Sequence, residues 1–298
     1  MIAFDEPIAF DAALKKLGDK TPLPTDMSSA ELRDAWSPDL RRRSLFSART
    51  TKAQILQAYQ DQLGALLRGE TNVATVRAQM QDAYAWLGYD PATGFEGDED
   101  LGIPPAEAGS KLDLSSDARI DLVVKTNMQQ VQNYAFREAG QTPGSRWSWP
   151  CYELVRISPR MVPRGMRLNK GALEHVVGED WPSRWEMAGG QFYGLGRMIA
   201  RKDDGIWERL GDSAIFGDAL DASVPPFAFN SGFGWREVSR DECIALGVID
   251  RDDKVDAAVL KMNEGLSVNA AKFDADFLKA LRADLTTAIE KGRLKLKS

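Results

Sequence analysis

The chain has 298 residues, 43% of them hydrophobic and 28% charged, with a formal net charge of −6. That length is enough for two compact domains, and that balance predicts a globular core rather than global disorder. A negative net charge excludes attraction of the whole molecule to nucleic acid and leaves only local basic patches for that purpose. Two cysteines, Cys151 and Cys243, are too few for a disulfide framework and read as reduced core thiols in a cytoplasmic setting.

The opening MIAFDEPIAFDAALKKLGDK lacks a basic region followed by an apolar run, so no secretory signal is expected. No apolar stretch is long enough for a membrane span. Residues 1–48 predict an N-terminal arm with one or two short helices, interrupted by the turn formers of KTPLPTDMSS. Arg41, Arg42 and Arg43 read either as a solvated face or as a contact to an acidic partner or a phosphate backbone.

From Thr50, the spacing of Ile55, Tyr59, Leu63 and Leu66 predicts a helix capped by Thr50 or Thr51 and broken at Gly69. Val73, Val76, Met80, Ala83 and Leu87 predict a second helix that stops at LGYDPATG. Together they form a helical hairpin. The acidic, Gly- and Pro-rich GFEGDEDLGIPPAEAGSK reads as a linker or long surface loop, so that hairpin and linker occupy 49–110 and a main boundary falls near 110.

Ser115 or Ser116 caps a third helix with Ile120, Val124, Met128, Val131 and Ala135 on one stripe and Gly140 as its stop. Its other faces are crowded with amides and a hydroxyl. Thr126, Asn127, Gln130 and Asn133 are expected either to face a partner or neighbouring loop, or to be plain polar surface. Alternation of Trp147, Trp149, Tyr152, Leu154 and Ile157 predicts a strand over 146–157. Residues 158–236 predict short strands and long loops pinned by aromatics.

Within that region lies PPFAFNSGFGW. Pro225 and Pro226 set an extended approach, Phe227 and Phe229 are expected to anchor one face to the core, and Asn230, Ser231 and Gly232 turn the chain. The competing expectation is an exposed aromatic hot spot. SRDECIALG predicts a helix with Ser239 as cap, Glu242 in the capping-box position and Gly247 as stop. A last helix is expected from Asp274 to Lys291, followed by a basic end. Residues 111–260 thus form an α+β domain of helices and short strands with long loops, and 261–298 a C-terminal helix and basic tail.

The residues offer little for chemistry. His175 is the single histidine, which excludes multi-histidine metal sites and leaves only one imidazole for any nucleophile–base pair. YGLGR lacks the third glycine and the lysine of a phosphate cradle. The acids of EGDED and RKDDG lack the spacing of a calcium loop. No Gln or Glu two residues before a strand Glu suggests ADP-ribosyl transfer. A deep pocket of converging ionisable groups around His175 would favour the alternative, a toxin-type transferase or hydrolase on a phage-like scaffold.

One resemblance is carried by ordered motifs. RIDLVVKTNMQQVQNYAFREAG resembles the signature helix of the phage Mu F-like, or SPP1 gp7-like, head morphogenesis proteins, through Arg119, Thr126, Asn127, Met128, Tyr134, Ala135 and Gly140. WPCYELVRI resembles the strand that follows it. IARKDDGIWERLGD and PPFAFNSGFGWREVSRDECIALG resemble later blocks, so the likeness covers roughly residues 45–250. Many members close this region with a His-x-Asn-Cys-Arg-Cys element. This chain has Phe229, Asn230, Ser231 and Gly232 there, so no metal role is implied.

The resemblance implies a structural minor head protein of the virion rather than an enzyme, with no cofactor, acting in capsid assembly at or near the portal vertex. Its implied partners are the portal protein, the major capsid protein or both. The basic end, with Lys291, Arg293, Lys295 and Lys297, is expected to touch packaged DNA or an acidic surface, or to be a frayed solvated terminus.

Overall fold

The computed structural model describes residues 11–36, 40–41, 44–158, 166–169, 172–175, 180–229 and 231–257. The expected helix over 274–291 and the basic end from Lys291 to Lys297 lie outside them. Helices and small sheets are mixed, which is the α+β class expected. The chain divides into two compact units, Met1–Val131 with Met262–Ser298, and Gln132–Lys261.

In the first unit, α1 (Asp11–Asp19) leads through β1 (Thr21–Pro22) to α2 (Ser29–Ala35), and β2 (Ser44–Leu45) pairs in parallel with β1. Ser28 caps α2 in a full capping box with Glu31. Leu23 N–H donates to the Leu45 carbonyl and Thr25 N–H to that of Thr50. Leu17, Leu32, Trp36 and Leu40 are buried. Residues 11–36, 40–41 and 44–45 are therefore not a free arm but part of the packed unit.

The hairpin is α3 (Ala53–Leu67) and α4 (Val73–Trp86). Ile55, Leu56, Tyr59, Leu63 and Leu67 of α3 are buried, as are Val76, Met80 and Tyr84 of α4. Asn72 caps α4 by accepting from Thr75 N–H, but α3 begins after Lys52 without a side-chain cap. The hydroxyl of Thr51, expected at that cap, instead donates to Asp98. That bond ties the acidic segment down at Asp98, and Phe95 is buried beside it while most of residues 96–111 are exposed, so the segment is a surface loop tethered to the unit rather than a linker. The division into units falls inside the next helix, α5 (Asp117–Ala139), and not near residue 110. Ser116 Oγ accepts from Arg119 N–H at its start, as the sequence predicted.

The second unit is built on a four-stranded antiparallel sheet. In chain order it contains α6 (Pro143–Ser148), β3 (Cys151–Arg156), β4 (Met166–Asn169), β5 (Ala172–His175), α7 (Trp181–Met187), β6 (Phe192–Tyr193), β7 (Arg197–Arg201), α8 (Ile206–Arg209), β8 (Phe233–Val238) and α9 (Arg240–Ala245). The sheet order is β6-β7-β3-β8, and β4 and β5 form a separate antiparallel pair.

Two sequence expectations fail here. Trp147 and Trp149 do not extend β3. Thr142 caps a helical turn with Pro143 in its first positions, and both indoles are left exposed. Phe227 and Phe229 do not share a face. Phe227 is fully buried and Phe229 exposed, because an Ala219–Ala228 bridge ends the extended run and Ser231 N–H turns back to the Ala228 carbonyl.

Alternation along β3 gives the sheet two chemically different faces. Tyr152 and Leu154 face an aromatic core with Trp181, Trp185, Trp207, Phe227 and Trp235. Tyr152 stacks on Trp235 at 4.5 Å with rings 3° from parallel, and Trp207 meets Trp235 edge-on at 5.3 Å. Cys151 lies on the other face with Ile199, Val238, Cys243 and Ile249, beneath α9.

Candidate functional site

The amide-rich part of α5 contains the residues expected to meet a partner. Two of them meet a lysine of the same unit. Lys20 Nζ, buried at 4% exposure, donates to Asn127 Oδ1 at 3.1 Å and to Gln130 Oε1 at 2.9 Å. Three residues is nearly one helical turn, so both amides lie on the side of α5 that covers the α1–β1 turn. Asn127 Nδ2 donates to the Val123 carbonyl, which fixes the orientation of its oxygen. Gln60 of α3 donates to the carbonyls of Leu17 and Lys20 and holds the same turn from another side.

No carboxylate neutralises Lys20 among the described residues, and burial pushes its amine down to about 8. Asn127 and Gln130 therefore act within the chain, and in place of a partner or a neighbouring backbone they meet an ammonium. Thr126 and Asn133 are half-buried. Arg119, another residue of the family pattern, donates to Ser47 Oγ and the Ala48 carbonyl. Arg119, Asn127 and Gln130 thus make fold contacts within the first unit.

The same unit holds a cavity of about 440 Å³ between α2 and residues 101–104. Asp26, Glu31, Asp34 and Arg49 supply its charges, and Met27 and Ile103 part of its apolar wall. Glu31 is committed to the capping box with Ser28, whose hydrogen bonds hold its carboxyl below the usual range. Arg49 takes a left-handed backbone conformation, φ 63°, and donates its N–H to the Met27 carbonyl. Volume and mixed charge suit a polar side chain or small ligand.

In the second unit, Lys202 is fully buried. Its Nζ donates to the Gly140 carbonyl at 3.2 Å, Ser145 Oγ at 3.1 Å and Glu237 Oε1 at 2.6 Å, and lies 5.0 Å from the Tyr152 ring centre. A serine beside a buried lysine is the arrangement of a nucleophile with its base. Burial holds the Lys202 amine below its ordinary value, against the hydrogen bond and charge of Glu237. With three acceptors around its Nζ, the charged amine staples Gly140, Ser145 and Glu237 into one cluster. Gly140 is part of it: a Cβ there would lie 2.3 Å from Tyr152 Oη and 3.1 Å from Lys202 Nζ.

On the opposite face Glu153 is buried between two guanidinium groups. Arg197 binds it through two nitrogens at 2.9 and 2.8 Å, and Arg236 approaches the same carboxylate. Arg197 also reaches Glu242 of α9 at 2.7 Å. Burial opposes ionisation of Glu153, but hydrogen bonds from Arg197 and Arg236 outweigh it and hold the carboxyl below its usual range.

Neither Lys20 nor the Glu153 cluster was found from sequence. The available signal was a charged residue at an inward position of an otherwise apolar strand, as in Cys151-x-Glu153 and Arg197-x-Ile199. The side chain of His175, the Arg42–Arg43 pair and the basic residues Lys291, Arg293, Lys295 and Lys297 lie outside the described residues. Among the described residues, no group of three or more His, Cys, Asp or Glu side chains is placed to hold a metal ion, and no helix is long and apolar enough to cross a membrane. No protein-family model, no curated protein and no solved structure matches the chain.

Proposed function

We propose that this chain is a structural minor head protein of a tailed phage or prophage, acting in capsid assembly at or near the portal vertex. One observation carries the proposal: four motifs resembling those of the head morphogenesis proteins follow one another in family order. Support comes from where these motifs fall. The first, up to its closing Gly140, falls within a single 23-residue helix, α5. The second ends in β3, a central strand of the sheet, the third builds β7 and α8, and the fourth supplies Phe227 to the aromatic core and then β8 and α9.

The protein's work is then docking. Its partners are the portal protein, the major capsid protein or both, it resides in the virion head, and the basic end from Lys291 to Lys297 contacts packaged DNA or an acidic surface. Co-expression of the tagged full chain with the portal and major capsid proteins encoded beside it tests this. A salt-resistant complex with either protein is expected. Absence of both from the purified chain, with the chain folded, overturns the proposal.

A further inference from the structure

The only two thiols of the chain meet on the ionic face of the second unit's sheet. Cys151 opens β3 and is paired across to Val238 of β8 and to Arg201 of β7. Cys243 sits in α9, which starts directly after β8, and its Sγ reaches back to the Val238 carbonyl at 3.7 Å. Cys243 thereby leans over the residue that faces Cys151. Both side chains are fully buried in one apolar layer with Ile199, Val238 and Ile249, and both are free thiols.

We propose that Cys151 and Cys243 form a reversible redox pair, closed by peroxide into a disulfide within the chain that fastens α9 to β3. The inference does not depend on the proposed function. The pair is asymmetric in the way such a reaction uses. The neighbouring Cys151 thiol lowers the Cys243 thiol, and the charges of Arg240 and Arg197 help, whereas the Cys243 neighbour and then burial push Cys151 up. Cys243 is accordingly the first to react.

Its thiolate attacks one peroxide oxygen, the O–O bond breaks, and the leaving hydroxide takes a proton to give water and a sulfenic acid on Cys243. Cys151 then attacks Cys243 Sγ, the S–O bond breaks, and the hydroxide leaves with the Cys151 proton as a second water. Two thiols and one peroxide become one disulfide and two waters. Burial under the six-residue α9 restricts the reaction to a small oxidant, or to moments when that short helix lifts.

The test uses the purified full chain in native buffer with hydrogen peroxide, followed by alkylation under denaturing conditions, intact mass and peptide mapping. Expected are loss of both alkylatable thiols, a mass lower by two hydrogens, one peptide joining Cys151 to Cys243, and full reversal by dithiothreitol. The oxidised chain should also melt at a higher temperature. Persistence of both thiols, oxygen adducts without a cross-link, or a disulfide between chains each overturns the proposal. In Cys151→Ser the sulfenic acid on Cys243 should persist and react with dimedone. Should that variant not fold, the wild-type cross-link decides alone.

Discussion

Lys20 makes the stability of the first unit depend on alkaline pH in a direction opposite to that of the buried tyrosines. Its amine ordinarily titrates at 10.5 and is held at about 8 by burial. At about 1.4 kcal/mol per pKa unit, keeping it charged in the folded chain costs about 3 kcal/mol. Between these two values the unfolded chain binds a proton that the folded chain has released, so unfolding takes up a proton and stability rises with pH.

Lys20→Met removes the titrating group. It also leaves Asn127 Oδ1 buried without its donor, at a cost of about 1–3 kcal/mol, so the net change near neutral pH is small. The diagnostic quantity is the difference between the two proteins. In urea melts from pH ~7 to ~10, wild type should gain up to about 3 kcal/mol relative to Lys20→Met. Parallel stability–pH curves would refute the buried ammonium. At higher pH both proteins should lose stability together, since burial raises Tyr59 well above its ordinary value and Tyr84 to about 12, so these phenols ionise first in the unfolded chain.

Gly140→Ala places a Cβ against Tyr152 Oη, and a loss of about 1–3 kcal/mol is expected in thermal melts, part of it restored by adding Tyr152→Phe. Phe227→Ala should cost about 3–5 kcal/mol and Phe229→Ala less than about 1, because only the first lies in the aromatic core; equal losses would contradict the split between the two rings. Glu153→Gln leaves Arg197 and Arg236 without their shared carboxylate, and a loss of about 3–5 kcal/mol is expected at neutral pH. Since the folded carboxyl is held below its ordinary value of 4.5, the wild-type advantage over Glu153→Gln should shrink as pH falls through that value and below.

Elements whose signals are local were legible in the sequence. Helical spacing placed α3 and α4, though not the cap of α3, Ser239 placed α9, and Ser116 marked the start of α5. The strand β3 was found, but the extension expected from residue 146 does not exist, because two tryptophans separated by one residue imitate a strand while Thr142-Pro143 starts a helix. Composition misplaced the boundary between units. The acidic Pro/Gly segment looks like a linker, yet Asp98 is held by Thr51 and Lys52, contacts that no local pattern reveals.

The site residues were the least legible. The amides of Asn127 and Gln130 stood out as unusual, but their ligand, Lys20, lies more than a hundred positions away in sequence. Lys202 stood in a resemblance motif without hinting that Gly140, Ser145 and Glu237 would surround it. Sheet pairing and helix packing bring such groups together, and these are long-range consequences of the whole chain.

The most direct measurement on the central claim is quantitative mass spectrometry of purified particles from a strain carrying the gene and its neighbours, with and without this gene. The chain should be present in heads at a fixed ratio to the portal protein, and its deletion should abolish or deform head assembly. Normal particles lacking the chain in both strains would contradict a role in the virion head.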